Sequence, residues 1–363
     1  MDARIDAGRD GGVSKDAHSD TGQDARRDGG EADGSARRDS ARAHDDAATA
    51  DALVRSEVSV GMDSSNTGCD SGVPSVQCVT AAGPTYFFGA ITVDDVNIYW
   101  GATGQLYGQG VVMQMPRAGG DVLTLAHGGA PQAGALVSDG ARLYWTTVES
   151  GILSVPIGGG EVTTLVTGGS SRCIAVDEEN AYWTDSGGAV FKVAKTGGAP
   201  VALYKSTPIP LAITLDDASV YWSAGNGVFR ESKDGGTAVT LMQGEPDPAC
   251  RSLPRVGDTL FAAIEQPSDA GFFFVADILA VPTGGAASTT VLASATLVSL
   301  VASSTHLFWF GYRPPISIDE TAQDGGGTGM IVTPLAPSLN DIVVASDGTL
   351  YWTTDFQILA LKP

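Results

Sequence analysis

A hydroxyl and a carboxylate, Thr184 and Asp185, directly follow two large aromatic residues in the stretch AYWTDS. An activated hydroxyl can serve as a nucleophile and a carboxylate as a general base, so this pair could belong to an active site. Hydrolytic chemistry of the Ser-His-Asp type also needs an oriented histidine. Beyond residue 67 the chain contains His127 and His306 only, and both adjoin turns. With no G-x-S-x-G sequence either, we predict no catalytic residue.

Acidic pairs form a second candidate for acid–base chemistry. Asp94-Asp95 and Asp216-Asp217 stand at the same point of a repeated pattern as Asp177-Glu178. Residues that recur at one turn of a repeat are better explained as turn-capping and solvating groups. The chain also lacks a C-x-x-C pair and histidines at zinc spacing, so no metal and no cofactor are expected.

The four cysteines divide into two sets. Cys69 and Cys78 bracket the short segment CDSGVPSVQC, where a disulfide would fix the strand that follows. Cys173 and Cys250 fall at corresponding points two repeats apart. That separation is too large for a disulfide, whose Cα atoms lie within about 7 Å, so these two are expected to be buried thiols.

An internal repeat positions all of these residues. Two adjacent large residues recur every 38 to 48 positions, and a double glycine recurs in the same phase between them. The large pairs are Tyr99-Trp100, Tyr144-Trp145, Tyr182-Trp183, Tyr221-Trp222, Leu260-Phe261, Phe308-Trp309 and Tyr351-Trp352. A period of about 40 to 45 residues with four short strands per unit is typical of a β-propeller blade.

One unit, residues 173–204, shows the four strands. CIAVD, AYWTD, AVFKVAK and PVALYK predict strands A to D, and they are separated by the turns DEEN, SGG and TGG. Glycine suits tight hairpins because it adopts positive φ without a steric penalty. The aromatic residues are expected to pack between neighbouring blades, since a single blade cannot cover both of its faces.

The stretches IAVD and YWTD together resemble the YWTD repeat of low-density-lipoprotein-receptor class B propellers, over residues 75–363. In that family the Asp of the motif is structural and ties neighbouring blades by hydrogen bonds, which implies a structural role for Asp185. The other tetrads here read YWGA, YWTT, YWSA, LFAA, FWFG and YWTT, so receptor biology is not implied. A closer similarity is to bacterial secreted or surface propellers that carry an Asp/Ala/Gly-rich tether.

Blade number follows from the last unit, which supplies strands A, B and C but no fourth strand. Residues 76–80 occupy a strand D position ahead of the first complete unit. Pairing of residues 76–80 with the final strand ILALK would close the ring and remove two exposed edges. We therefore predict an all-β fold of seven four-stranded blades, about 42 residues each, with six blades as the alternative.

Residues 1–67 differ in composition from the rest of the chain. They contain no Phe, Trp or Tyr and carry 15 acidic and 9 basic residues. Such a segment cannot bury enough apolar surface to offset the entropy of ordering, so we predict a disordered tether at 1–67 and a propeller at 68–363. The net charge of −21 argues against a nucleic-acid partner, no apolar run is long enough for a membrane helix, and no signal segment follows Met1.

Aromatic residues in the B-to-C and D-to-A connections are the candidate binding residues, because these connections emerge on one rim of a propeller. They are Tyr86, Phe87, Phe88, Tyr107, Phe272, Phe273 and Tyr312, together with Arg313. Their residue types are enriched in protein interfaces, although the same aromatics could instead cap the core.

Two functions from different classes remain open at this stage. The first is a non-catalytic, exported or cell-surface binding or scaffold propeller, monomeric, whose partner is a protein or a glycan. The second is a propeller lyase or lactonase-type hydrolase with a metal in the central channel. The inner strands, reading ITVD, IAVD, AITL and similar, carry no additional charges that converge on a metal, which favours the first function.

Overall fold

The computed structural model describes residues 77–81, 86–104, 110–127, 135–147, 151–205, 208–244, 252–266, 275–295, 297–311, 316–332 and 338–362. The predicted tether at residues 1–67 lies outside these ranges, as do Cys69 and Cys250.

The described residues form 28 β-strands. In chain order they are β1 Gln77–Ala81, β2 Tyr86–Val93, β3 Asn97–Gly104, β4 Gly110–Pro116, β5 Leu123–His127, β6 Leu136–Ser138, β7 Arg142–Thr147, β8 Gly151–Pro156, β9 Thr163–Val166, β10 Ser171–Val176, β11 Asn180–Asp185, β12 Ala189–Ala194, β13 Val201–Lys205, β14 Pro210–Leu215, β15 Ser219–Ala224, β16 Gly227–Ser232, β17 Val239–Gln243, β18 Arg255–Val256, β19 Thr259–Gln266, β20 Val275–Pro282, β21 Thr289–Ala295, β22 Ser299–Ala302, β23 His306–Phe310, β24 Ile318–Ala322, β25 Gly329–Val332, β26 Asp341–Val344, β27 Leu350–Thr353 and β28 Gln357–Leu361.

These strands make seven four-stranded antiparallel sheets arranged in a ring, which confirms the predicted seven-bladed propeller. Blades 1 to 6 each consist of four consecutive strands, from β2–β5 to β22–β25. Blade 7 has the order β1-β28-β27-β26, so the first strand of the chain completes the last blade. Gln77 pairs with Ala360 and Ala81 with Gln357. The predicted closure beside ILALK is therefore confirmed.

The core consists of seven hydrophobic clusters, one between each two successive blades. Because neighbouring residues of a strand point to opposite faces, the two members of each aromatic pair enter different clusters. Tyr182 of blade 3, for example, packs with Trp222 of blade 4, and Tyr351 of blade 7 packs with Trp100 of blade 1. The pair recurs along the sequence because each blade must fill two interfaces.

Blade 5 departs from the predicted alignment by one residue. The sequence suggested Leu260-Phe261 as its aromatic pair. In the structure Phe261 lies in the cluster with Trp309 of blade 6, where the other blades place their Tyr, and Ala262 lies in the cluster with Tyr221 of blade 4. The pair of blade 5 is therefore Phe261-Ala262, and alanine occupies the tryptophan position.

The double glycines terminate strand C in the conformation that the repeat requires. Gly197 and Gly198 have φ angles of 87° and 132°, which residues with a side chain rarely adopt. The amide of Gly197 donates to the carbonyl of Ala194 at 2.8 Å and closes the turn.

The ring has two rims with different connections. We call the rim with the turns from strand A to B and from strand C to D the latch rim, after the contacts described below. We call the opposite rim, with the connections from B to C and from D to the next A, the loop rim. Gln77 pairs near the end of β28, at the latch rim, so the chain enters the propeller there. The candidate binding residues were predicted for the opposite, loop rim.

Candidate functional site

A carboxylate cluster at the latch rim shows what the acidic turn residues do. One oxygen of Asp177 accepts hydrogen bonds from the amides of Glu179 and Asn180, at 3.0 and 2.8 Å. The other oxygen accepts from the Tyr182 hydroxyl at 2.9 Å and lies 2.8 Å from Nζ of Lys233, which belongs to blade 4. The same ammonium lies 5.7 Å from the centre of the Tyr182 ring. We call this Asp, Tyr and next-blade cation an inter-blade latch.

The latch recurs with variations around the ring. Asp139 and Tyr144 repeat it with Lys195 of blade 3, at 2.9 and 2.6 Å. Between blades 7 and 1, Arg117 contacts both Asp347, at 2.6 Å, and the Tyr351 hydroxyl, at 3.2 Å. Blades 1 and 4 keep the turn amides and the Asp–Tyr hydrogen bond, as Asp94–Tyr99 and Asp216–Tyr221, but the ion pairs of the described residues do not include these two aspartates.

Electrostatics in the latch favour the ionised carboxylate. Burial opposes ionisation of Asp139, but Lys195, the amides of Arg142 and Ala141, and the Tyr144 hydroxyl together outweigh it and lower the pKa to about 2. The pKa of Asp177 is likewise lowered to about 2, because Lys233 and three further donors outweigh burial. Burial and the neighbouring carboxylate raise the pKa of the Tyr144 and Tyr182 hydroxyls. A carboxylate held this way is a structural hydrogen-bond acceptor.

Blades 5 and 6 lack both the tyrosine hydroxyl and the aspartate five residues before it, where Val256 and Ser303 stand. Phe261 and Phe308 replace tyrosine. In blade 6 Ser303 takes over the turn, and its Oγ accepts from the amides of Thr305 and His306 at 3.3 and 3.0 Å. The turn aspartate therefore accompanies the tyrosine hydroxyl.

Thr184 and Asp185, the first candidates for chemistry, make scaffold contacts. Thr184 is buried, and its Oγ1 accepts from the Cys173 amide at 3.1 Å. The carboxylate of Asp185 accepts from the Gly187 amide at 2.6 Å, inside its own hairpin. The resemblance to the YWTD repeat implied that Asp185 binds amides of a neighbouring blade, whereas the observed contact lies within its own blade. Its contribution to stability stays a prediction.

Two cysteines fall within the described residues. Cys78, in the closing strand, is disulfide-bonded. Its predicted pairing with Cys69 stays a prediction, because Cys69 lies outside the described ranges. Cys173 is a buried thiol, as expected, and its Sγ lies 2.9 Å from the carbonyl oxygen of Leu211 in blade 4.

The candidate binding residues fall into three groups. Tyr107, Phe272, Phe273, Tyr312 and Arg313 lie outside the described residues, and Tyr86 is described only as the first residue of β2. Phe88 is 2% exposed and meets Trp100 edge-on, so it belongs to the core and presents no surface to a partner. Phe87 is 42% exposed at the loop rim.

Phe87 has an aromatic neighbour, Phe356, that was not predicted from the sequence. Phe356, in the turn between β27 and β28, is also 42% exposed, and the two ring centres are 5.3 Å apart at 42°. Phe87 belongs to blade 1 and Phe356 to blade 7, so the aromatic pair spans the seam where the ring closes. The Phe88 amide donates to the Asp355 carbonyl across this seam at 2.9 Å. One backbone hydrogen bond thus joins the strand of Phe87 to the turn of Phe356, and the two exposed rings form an apolar patch across the seam.

The two histidines of the described residues, His127 and His306, lie at the surface or beside a turn. His127 is exposed at the end of β5. Nδ1 of His306 lies 2.9 Å from the neighbouring Thr305 hydroxyl. Within the described ranges, no three His, Cys, Asp or Glu side chains are grouped to hold a metal ion. None of the described segments is a helix that could span a membrane.

Comparisons with known proteins show the fold. No protein-family model and no curated protein sequence matches the chain. A streptogramin B lyase structure aligns with a TM-score of 0.62 and 12% identity, covering 79% of this chain and 97% of the lyase chain. A chain of the mitotic checkpoint complex aligns with 0.62 and 11%, covering 79% and 93%. BamB from Moraxella catarrhalis aligns with 0.53 and 15%, covering 77% and 84%.

Proposed function

We propose that the protein is a non-catalytic binding or scaffold propeller, exported or displayed at the cell surface, that contacts a protein or glycan partner through its loop rim. The observation that supports the partner site is the exposed Phe87–Phe356 pair. Large aromatic side chains at a protein surface supply contact area at little entropic cost, and they are enriched where proteins are bound.

The path of the chain supports presentation of this patch. Gln77 enters the ring at the latch rim, and Phe87 and Phe356 lie at the other rim. The strand that enters the ring therefore begins at the rim opposite the patch.

The disulfide at Cys78 supports export. Disulfides persist in oxidising compartments and are rare in the cytosol. The acidic composition also fits a soluble domain outside the cytoplasm, since a large net charge keeps proteins dispersed.

A direct test uses the immobilised full chain as bait for a phage-displayed peptide library and for a glycan array. Ligands recovered by the wild-type chain should lose binding to the double variant Phe87→Ser/Phe356→Ser. The matched control is Val201→Ser/Val239→Ser, which removes exposed apolar residues (52% and 45%) from outer strands of blades 3 and 4. This control should retain binding.

Equal binding to the Phe87/Phe356 variant and to the wild type would contradict the proposed site. Metal-dependent turnover of a lactone or an ester by the same preparation would contradict the non-catalytic function. That result would favour a lyase or lactonase.

A further inference from the structure

A carboxylate lies next to the aromatic pair and is held in place by the seam. Nδ2 of Asn340 donates to Oδ1 of Asp355 at 3.2 Å and to the Phe88 carbonyl at 2.8 Å. The backbone of Asp355 is also held, because its amide donates a hydrogen bond to Oγ of Ser338 at 3.1 Å. Asp355 is therefore fixed from both its backbone and its side chain, between Phe356 and the strand that carries Phe87.

Among the described residues, the side-chain partner of the Asp355 carboxylate is the neutral amide of Asn340. The ion pairs of the described residues join Asp139, Asp177 and Asp347 to cations at the latch rim. Asp355 is bonded to an amide and remains partly exposed. Within the described part of the chain, this partly exposed carboxylate, next to Phe356 in sequence and joined to the Phe88 amide through its own backbone carbonyl, has no cation of the kind that the latch carboxylates bind.

An arginine side chain complements all three groups. Its planar guanidinium stacks on an aromatic face and at the same time donates two parallel hydrogen bonds to a carboxylate. A lysine ammonium is a more strongly hydrated point charge and cannot stack in this way. The net charge of −21 would also steer a cationic partner toward the protein.

We propose that Phe87, Phe356 and Asp355 form a binding site for an arginine side chain of a protein partner. This inference rests on the proposed function, because it names the chemistry of the partner at the same patch. It favours a protein over a glycan, since a neutral sugar would leave Asp355 without a counter-ion.

The test measures the ¹⁹F NMR chemical shift of the full chain with 4-fluorophenylalanine at position 356 while a probe is titrated. The probes are the N-acetyl amides of arginine, lysine, citrulline and leucine. Arginine should give a saturable shift, with a dissociation constant at least about fivefold lower than that of citrulline, which keeps the shape and loses the charge.

Variants locate the effect. Asp355→Asn should weaken arginine binding about fivefold and Phe87→Ser about threefold. Asp185→Asn, a carboxylate change on the same rim in blade 3, should leave the titration unchanged. Each variant can be checked for folding by its melting curve before titration.

Three results would overturn the inference: no saturable shift with arginine, equal affinity for citrulline or leucine, or equal affinity for lysine. A different result tests the proposed function, namely whether ligands lose binding to the Phe87/Phe356 variant. Peptides that bind through Phe87 and Phe356 but show no arginine enrichment would support the patch and contradict its preference for arginine.

Discussion

The two rims of the ring use their polar and aromatic residues in different ways. At the latch rim the carboxylates of Asp139 and Asp177 are each bound by four donors, one of them a cation from the next blade. At the loop rim the described residues give the Asp355 carboxylate one side-chain partner, the neutral amide of Asn340, and Phe87 and Phe356 are exposed. Acidic residues in one repeat protein therefore have two roles, as structural hydrogen-bond acceptors between blades and as candidate binding groups. The partners of each carboxylate distinguish the two roles better than the residue type does.

The largest effect is expected from opening the ring at blade 7, where the first and last strands of the propeller pair. Deleting residues 357–363 removes β28, the strand between β27 and β1, and leaves two sheet edges unpaired. The truncated chain should lose cooperative unfolding in calorimetry and should aggregate. Deleting residues 1–67 instead should leave the melting temperature unchanged, because that segment is predicted to be a tether. An unchanged melting curve for the C-terminal truncation would show that blade 7 does not hold the ring closed.

The next largest effect concerns a single latch. Asp177→Ala leaves two amides, a hydroxyl and an ammonium without their acceptor, so the free energy of unfolding should fall by about 2–3 kcal/mol. Glu178→Ala, an exposed change in the same turn, is the matched control and should have almost no effect. Asp185→Ala at the loop rim removes one hydrogen bond and should cost about 1 kcal/mol or less. Urea titrations of the three variants would measure this difference, and equal losses for Asp177 and Asp185 would contradict it.

Much of this architecture could be predicted from sequence. The two in-phase markers predicted blades, and the missing fourth strand of the last unit predicted closure by residues 76–80. The shift at Leu260-Phe261 was missed because alanine at the tryptophan position removes the marker that fixes the register. The lysines of the latches were missed because their partners lie on another blade. A usable signal existed for the aspartates of blades 1 to 4: each stands five residues before a tyrosine, as in Asp177–Tyr182.

Phe356 shows why the site was harder to predict than the fold. Aromatic residues in long insertions were the sequence signal for a binding site, whereas Phe356 occupies a short turn. Its contact with Phe87 joins residues from the two ends of the propeller sequence. Local pattern does not encode this contact, which depends on how the ring closes.

Acid should weaken the latches in a defined pH range. Asp139 and Asp177 have a folded-state pKa of about 2, below the reference value of 3.8. Groups with a lowered pKa stabilise the fold above the reference value, and this stabilisation is lost as the pH falls toward 2. Each carboxylate should account for roughly 2 kcal/mol of that loss. Unfolding free energies between pH 5 and pH 2 should fall less steeply in Asp139→Asn/Asp177→Asn, and an unaltered slope would contradict the assignment.

Glu231 is a buried acid without a latch, so its removal should have the opposite sign. It is 3% exposed, its Oε1 has no hydrogen-bond partner among the described residues, and burial raises its pKa. A raised pKa means that stability is present below the reference value of 4.5 and is lost as the pH rises. Val193 occupies the equivalent position in blade 3. Glu231→Val should therefore raise the free energy of unfolding at pH 7 by about 1 kcal/mol, and a decrease would show that the carboxylate has an unrecognised partner.

The smallest effect on stability is expected at the aromatic pair itself, and two adjacent residues provide the comparison. Phe87 is 42% exposed and Phe88 is 2% exposed. Phe88→Ala should cost about 3–5 kcal/mol because it leaves a cavity beside Trp100. Phe87→Ser opens no closed cavity, because the residue is already 42% exposed, and should cost much less, about 1 kcal/mol. Calorimetry of both variants, with ligand binding measured on the folded Phe87→Ser protein, separates a core residue from a contact residue. A loss for Phe87→Ser as large as that for Phe88→Ala would assign the aromatic pair to the scaffold, and the loop rim would then have no described contact patch.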